Sequence, residues 1–304
     1  TVAFDPDGPR FQLIERVLWI ASLNVHYQLA IDGLPVLFLP ATALLFLGAL
    51  VASWNLVHDA PRFYYSLLLL LQCATLGIFC SLDTVLFFVF WELTLIPLYF
   101  LLGRWGAVAG SARVAARYFL IMLAGGVPLL LAFVLLAASQ SVPTFDLLAL
   151  LAVPLPHATQ YAFLLLCLIG FGVKVPLVPL HTWLPQFALA APGSLTALLV
   201  GLKLGAYGLI RFAIPLAPDA AQDLHWLLAG LGTVTLIYGA VGILAQSNLR
   251  VALAYASICH VGLAVLGLAA FTAQGVQGAV SLLLSFSVAT GGAFLLLEFL
   301  RQRT

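Results

Sequence analysis

From Leu34 onward the chain is a succession of apolar runs of about 20 residues, separated by short polar or helix-breaking stretches. A helix of that length covers the roughly 30 Å hydrocarbon core of a bilayer. The runs lie near 34–54, 62–80, 83–103, 113–138, 160–181, 192–215, 224–246, 249–271 and 276–300, which predicts nine transmembrane helices. The breaks carry turn chemistry: His58-Asp59-Ala60-Pro61, Gly103 to Gly106, Pro154 to Pro156, Pro215 to Pro218, and Ala273 to Gly275. Residues 1–32 are mixed and polar, with Trp19 and Tyr27, and read as an extramembrane or interfacial lead-in. The predicted fold class is therefore all-α, a polytopic membrane protein with a helical domain over residues 33–304.

One run is irregular. Between Phe171 and Pro185 it holds Lys174, then Pro176, Pro179, His181 and Pro185. A lysine at the centre of a membrane helix costs roughly 2.5–3.5 kcal/mol on insertion scales. Each proline also removes a backbone donor that lipid cannot replace. The stretch predicts a helix broken near 174–190 whose polar groups are met by neighbouring helices and water.

Composition fits this picture. Of 304 residues, 63% are hydrophobic and 8% charged, against about a quarter charged in soluble domains. A formal net charge of +1 offers nothing to nucleic acid. The first residue is Thr1, followed by Asp5, Asp7, Arg10, Glu15 and Arg16. That is neither an initiator methionine nor a signal peptide, so the expectation is a start inside a longer protein. Cys73, Cys80, Cys167 and Cys259 form no C-x-x-C pair and read as small hydrophobes rather than cluster or zinc ligands. Nucleotide-binding glycine motifs are absent, so no cofactor is expected on this chain. Arginine placement predicts orientation. With the lead-in outside, the inner loops hold Arg62, Arg104, Arg113, Arg117, Arg250, Arg301 and Arg303, and the outside keeps Arg10, Arg16 and Arg211.

The candidate chemistry lies in the spans. The only lysines are Lys174 and Lys203, and both fall within apolar runs. Snorkelling to the interface is the plain alternative, but Lys203 sits mid-run, where it is awkward. An amine held away from water exchanges its proton more readily than one in solution. Glu92 has apolar helix on both sides. It reads either as a neutral carboxyl bonded to a neighbouring helix or as the partner of a buried lysine, the two then titrating as a unit. Pro97 frees a backbone carbonyl near it. Gly201, Gly205 and Gly208 give a small-residue face around Lys203, ordinary helix packing that also brings the amine close to a partner. His181 and His260 are candidate relay groups, although a lone histidine on an apolar face is more often a satisfied core residue. Glu298 beside Arg301 reads as an interfacial ion pair, and Tyr207, Tyr255 and Ser257 as weak candidates for binding internal water.

Together these motifs resemble the antiporter-like membrane subunits of complex I (NADH:quinone oxidoreductase). Phe90 to Tyr99, with Trp105-Gly106, is similar to the family's glutamate helix. Val173 to Pro185 is similar to its broken lysine helix, Leu199 to Phe212 to the next lysine helix, and Leu253 to Gly262 to the segment around its axial histidine. Phe11 to Glu15 and Tyr27 to Gly33 point to the subunit M type. The resemblance implies a fourteen-helix fold with two inverted five-helix repeats, the first complete over 62–215 and the second incomplete over 220–304. It also implies roles: Glu92 modulating, Lys174 switching, Lys203 connecting and His260 on the central polar axis. Protons would be the transported species, other membrane subunits the partners, and redox cofactors would sit on other subunits in an energy-coupling membrane such as the bacterial inner membrane. Two places depart from the family. Gln186, Ala188 and Ala190 stand where an aspartate, a histidine and a glutamate are usual. Ser285-Phe286 stands where a serine–histidine pair is usual. A Mrp-type cation/proton antiporter, a hydrogenase membrane subunit, an inorganic-carbon uptake partner and a non-pumping scaffold are the alternatives. With Glu92 the only mid-span acid, sodium is disfavoured.

Overall fold

The computed structural model describes residues 4–303. The lead-in is not featureless. It forms a β-hairpin of β1 (Gln12–Ile20) and β2 (Val25–Ile31), paired antiparallel with Glu15 opposite Leu29 and Val17 opposite Tyr27. Ile14, Val17, Trp19 and Ile20 are residues that favour strands. Asn24 closes the turn at φ 53°, a left-handed conformation that asparagine tolerates. β2 faces the bundle with Val25, Gln28 and Ala30, while β1 is largely exposed. The hairpin is tied down by Leu82 N–H to the Gln28 carbonyl at 2.9 Å and by His26 N–H to Asp83 Oδ2 at 3.0 Å.

Nine spans follow among the described residues, close to the predicted runs. They begin with α1 (Pro35–Ser53), α2 (Pro61–Cys80), and α3 (Thr84–Leu93) with α4 (Leu95–Trp105) as two halves of one span. Next come α5 (Ser111–Ala138), the short connector α6 (Leu147–Ala152) and α7 (His157–Lys174). Their starts follow local chemistry. Pro35 and Pro61 occupy first-turn positions, where no N–H is needed. The Asp83 carboxylate accepts from Val85 and Leu86 N–H, and Asp146 from Leu148 N–H.

The predicted break is present. α7 ends at Lys174, residues 175–182 are non-helical, and α8 (Trp183–Ala190) completes the crossing. The next span is broken as well, into α9 (Gly193–Gly201) and α10 (Leu204–Gly208). It continues through a π-helical turn (Leu209–Ala213) and α11 (Ile214–Leu216). After α12 (Pro218–Asp223) come α13 (His225–Leu244), α14 (Leu249–Ala269) and α15 (Ala273–Arg303). Gly193–Leu216 is the central span, 83% buried, whereas His225–Leu244 is 22% buried and lies at the periphery. Lys203 therefore sits on the innermost element.

Each end of the bundle carries ion pairs. At the hairpin end Arg211 meets Asp32 at 2.5 Å, both buried, and Arg16 meets Asp146 at 3.2 Å. At the other end Arg104 bonds Asp59 at 2.9 Å, which holds the Asp59 carboxyl below its usual range. Glu298, expected to pair with Arg301 at an interface, is instead buried. It accepts from Arg250 at 2.8 Å and from Gly193 N–H at 2.6 Å, with Arg301 farther off at 3.6 Å. Its carboxylate thus caps the start of α9 and ties the Lys203 span to α14 and α15.

Candidate functional site

The two lysines lie where the two spans break. Lys174 is the last residue of α7. Its Nζ donates to the Trp91 carbonyl at 3.1 Å and to Thr94 Oγ1 at 3.0 Å, and lies 3.8 Å from the Trp91 ring centroid. Trp91 and Thr94 flank the turn between α3 and α4, so one interrupted span supplies acceptors to the lysine that ends another. The break leaves few raw backbone ends. Trp183 Nε1–H bonds the Val173 carbonyl at 2.8 Å, Leu177 N–H the Gly172 carbonyl at 3.0 Å, and Val178 N–H Thr235 Oγ1 at 3.1 Å. Internal partners of this kind are what permit non-helical backbone at membrane depth.

Glu92 is close by but makes no direct ion pair with Lys174. Both its carboxylate oxygens are buried and have no hydrogen-bond partner among the described residues. The carboxyl lies against Gly126 of α5, where a Cβ would come within 2.2 Å of Oε1. From the sequence, Glu92 is either a neutral carboxyl bonded to a neighbouring helix or the partner of a buried lysine, each relieving the other's charge. In the fold, the turn at Thr94 offers Lys174 a carbonyl and a hydroxyl on one face of α3, and Glu92 leaves that helix toward α5.

Lys203 forms its own break. Its φ is 51°, left-handed for a residue with a side chain, and it is the residue before α10. It is 8% exposed, and its Nζ donates to Ser257 Oγ of α14 at 2.7 Å. Gly205 brings the two breaks together: a Cβ there would sit 2.7 Å from Val175 N and 3.0 Å from the Phe171 carbonyl. Between them lies an internal cavity of about 40 Å³, lined by Thr94, Tyr118, Lys174, Lys203 and Ser257 with apolar walls including Pro176 and Leu98. That exceeds the roughly 10–15 Å³ needed to hold a water, and at a water's liquid share of about 30 Å³ it has room for about one. The Tyr118 hydroxyl, buried and without a hydrogen-bond partner among the described residues, is available to such water.

The other sequence candidates are not brought to this cavity. His181 is buried with its ring edge-on to Tyr238 at 4.6 Å and its Nδ1 without a partner among the described residues. His260 bonds the Ala256 carbonyl through Nδ1 at 2.8 Å and stacks on Phe286 at 3.7 Å. Pro179 and Pro185 shape the break without lining the cavity. Sequence reading missed Thr94, Tyr118 and Gly126, because a threonine, a tyrosine and a glycine inside apolar helices carry no signal until the helices are paired. The described residues hold no cluster of three or more metal-ligating side chains.

Comparison with known proteins gives the family and the fold. Residues 81–304 match the family described as NADH:quinone oxidoreductase/Mrp antiporter, transmembrane. NAD(P)H-quinone oxidoreductase chain 4 3 of Trichormus variabilis is 38% identical over 305 aligned residues, covering 99% of this chain and 56% of the relative. Chain 4 1 of Synechococcus elongatus is 37% identical over 308, with the same coverage. The chain thus spans a little over half the length of these curated relatives. A chain of respiratory complex I from Thermus thermophilus superposes with a TM-score of 0.88 at 33% identity, over 97% of this chain and 63% of that one. A chain of the Mrp complex from Dietzia sp. shares the fold, at TM-score 0.83 and 24% identity, over 94% and 32%. The matched segment contains both broken spans, Glu92, both lysines and His260, and by that match the chain belongs to the NADH:quinone oxidoreductase/Mrp antiporter transmembrane family.

Proposed function

We propose that this chain is the antiporter-like membrane portion of a subunit-M-type component of an NADH:quinone oxidoreductase, and that it translocates protons through Glu92, Lys174 and Lys203, with His260 beyond. One observation carries the reading: two lysines at mid-span helix breaks line one cavity of about 40 Å³. An ammonium in a bilayer is expensive, and two such residues facing shared water are placed for proton transfer rather than for packing.

In this reading Lys174 has two alternative acceptor sets. One is the Trp91 carbonyl with the Thr94 hydroxyl; the other is the unpartnered Glu92 carboxyl. Turning from one to the other changes the charge balance at the amine, so the pair titrates as a unit. Cavity water then links Lys174 to Lys203. Energy comes from redox reactions on other subunits, which hold the redox cofactors. Each proton moved against 100 mV requires about 2.3 kcal/mol. The lead-in hairpin lies on the outer side of an energy-coupling membrane. Residues 62–215 form a whole repeat and 220–304 part of a second. Other membrane subunits of a large complex are the partners, and His181 has no step.

The test is proton transport by the complex reconstituted in liposomes. Lys174→Met is expected to abolish coupled pumping while assembly is retained, and Glu92→Gln to cause a comparable loss. Wild-type pumping by Lys174→Met rejects the lysine relay.

A further inference from the structure

Phe286 of α15 has no part in the relay just described, yet it touches two of its members. Its ring centroid is 4.9 Å from Lys203 Nζ, and His260 stacks on it at 3.7 Å with 20° between the planes. Lys203 bonds one protein acceptor, Ser257 Oγ, and an ammonium has three N–H donors. Two of its protons therefore have no acceptor among the described residues. The His260 tautomer is set by its neighbour. A carbonyl only accepts, so Nδ1 carries the hydrogen donated to Ala256 at 2.8 Å, and Nε2 is left as the basic nitrogen. Donor and acceptor are matched, but both rest against an aromatic ring instead of each other.

A proton moves along hydrogen-bonded groups, and a phenyl ring has neither a lone pair nor an exchangeable hydrogen. Its face attracts the ammonium without accepting the proton. The cavity beside Lys203 does not reach His260 or Phe286. Its wall on α14 is Ser257 and Val261, and His260, between them in sequence, is not part of it. The helix around the ring is built to yield. Ser285 and Ser287, on either side of Phe286, turn their hydroxyls back to the Ser281 and Leu283 carbonyls at 2.8 and 2.6 Å, bonding that loosens and bends helices.

We propose that the Phe286 ring is a gate between Lys203 and His260. In the position described it holds the Lys203 ammonium and bars transfer. When it swings aside, water filling the space it leaves links Lys203 Nζ–H to His260 Nε2. The ring is a positioning residue: it carries no proton itself. This inference rests on the proton-relay reading, and the test separates the two.

The full-length protein is assembled in its complex and reconstituted in liposomes. Passive proton leak down an imposed pH gradient, without redox substrate, is measured beside coupled pumping. Phe286→Ala and Phe286→His are expected to raise the leak by about tenfold or more, whereas Phe286→Leu, which keeps an apolar filling, stays tight. Adding Lys203→Met to Phe286→His is expected to return the leak to the wild-type level. If Phe286→Ala fails to assemble, the flat-ringed Phe286→His decides. An unchanged leak in Phe286→His overturns the gate, and so does a leak that persists with Lys203→Met, since it bypasses the lysine. Full coupled pumping by Lys203→Met alone rejects the relay itself, whatever Phe286 does.

Discussion

Gly126→Ala probes the placement of Glu92 without touching a titratable group. Gly126 lies inside α5, and a Cβ there would stand 2.2 Å from Glu92 Oε1 and 3.0 Å from Cδ. Ordinary contact begins near 3.5 Å, so the carboxyl must retreat by about 1 Å. The atom struck is the end of a flexible side chain, so α5 itself can stay in place. Replacing glycine by alanine in a helix interior also favours the helix by up to about 1 kcal/mol. Folding is therefore expected to be unharmed or slightly improved. Function is different: a displacement of about 1 Å at a reacting group costs on the order of 100-fold. The assay is coupled proton pumping in liposomes, with thermal unfolding of the assembled complex as the folding check. Gly230→Ala, in α13 with nothing within 4 Å of its Cβ, is the matched control. Gly126→Ala at wild-type pumping rates, with Gly230→Ala also normal, would refute the argument that the carboxyl must occupy its place beside α5.

Thr94→Val removes one of two acceptors of Lys174 at nearly constant volume. Lost hydrogen bonds to charged groups cost about 1.5–3 kcal/mol, so Lys174 is expected to favour Glu92 and pumping to slow by about tenfold, read as turnover at saturating substrate. Arg250→Met leaves Glu298 buried beside a more distant Arg301, and breaking a buried pair costs about 3–5 kcal/mol; a clear fall in the unfolding temperature of the complex is expected, and an unchanged one would show the cluster to be idle. Lys203→Gly and Lys203→Met both delete the amine, but only glycine relaxes a φ of 51°, strain of about 1–3 kcal/mol. The glycine variant should unfold at the higher temperature, and equal temperatures would deny the strain.

Much of the fold is legible in the sequence because lipid imposes one requirement, a run of about 20 apolar residues per crossing. That is why the nine runs and the break after Lys174 correspond to the spans. The hairpin at 12–31 escaped because Glu15 and Arg16 interrupt its apolar residues, and because pairing between strands leaves no periodic mark in so short a segment. Within the site, Glu92, Lys174 and Lys203 stand out as costly residues in apolar surroundings, which any reading of composition finds. What they bond does not. Lys174 turns to a carbonyl and a threonine hydroxyl 80 or more positions away, partners decided by how α3 and α7 pack. Glu298 shows the same limit: its near neighbour Arg301 is the obvious partner, and Arg250, 48 positions distant, is the better one.

The two breaks are made by different means, and that difference bears on how they communicate. The first is written in prolines: Pro176 and Pro179 prevent α7 from continuing, and Trp183, Gly172 and Thr235 satisfy the backbone groups left behind. The second has no proline. It is formed by Lys203 itself in a left-handed conformation, which persists only where surrounding contacts over-determine it. Gly205 supplies such a contact by seating α10 on Val175 and the Phe171 carbonyl, the residues that flank Lys174. Any change in how Lys174 sits at the end of α7 therefore bears directly on the backbone that positions Lys203. Coupling between the lysines needs no separate wire. The docked helix ends join the same two residues that line the cavity, so in the proposed relay a shift at one break would alter both the proton path and the strained conformation at the other.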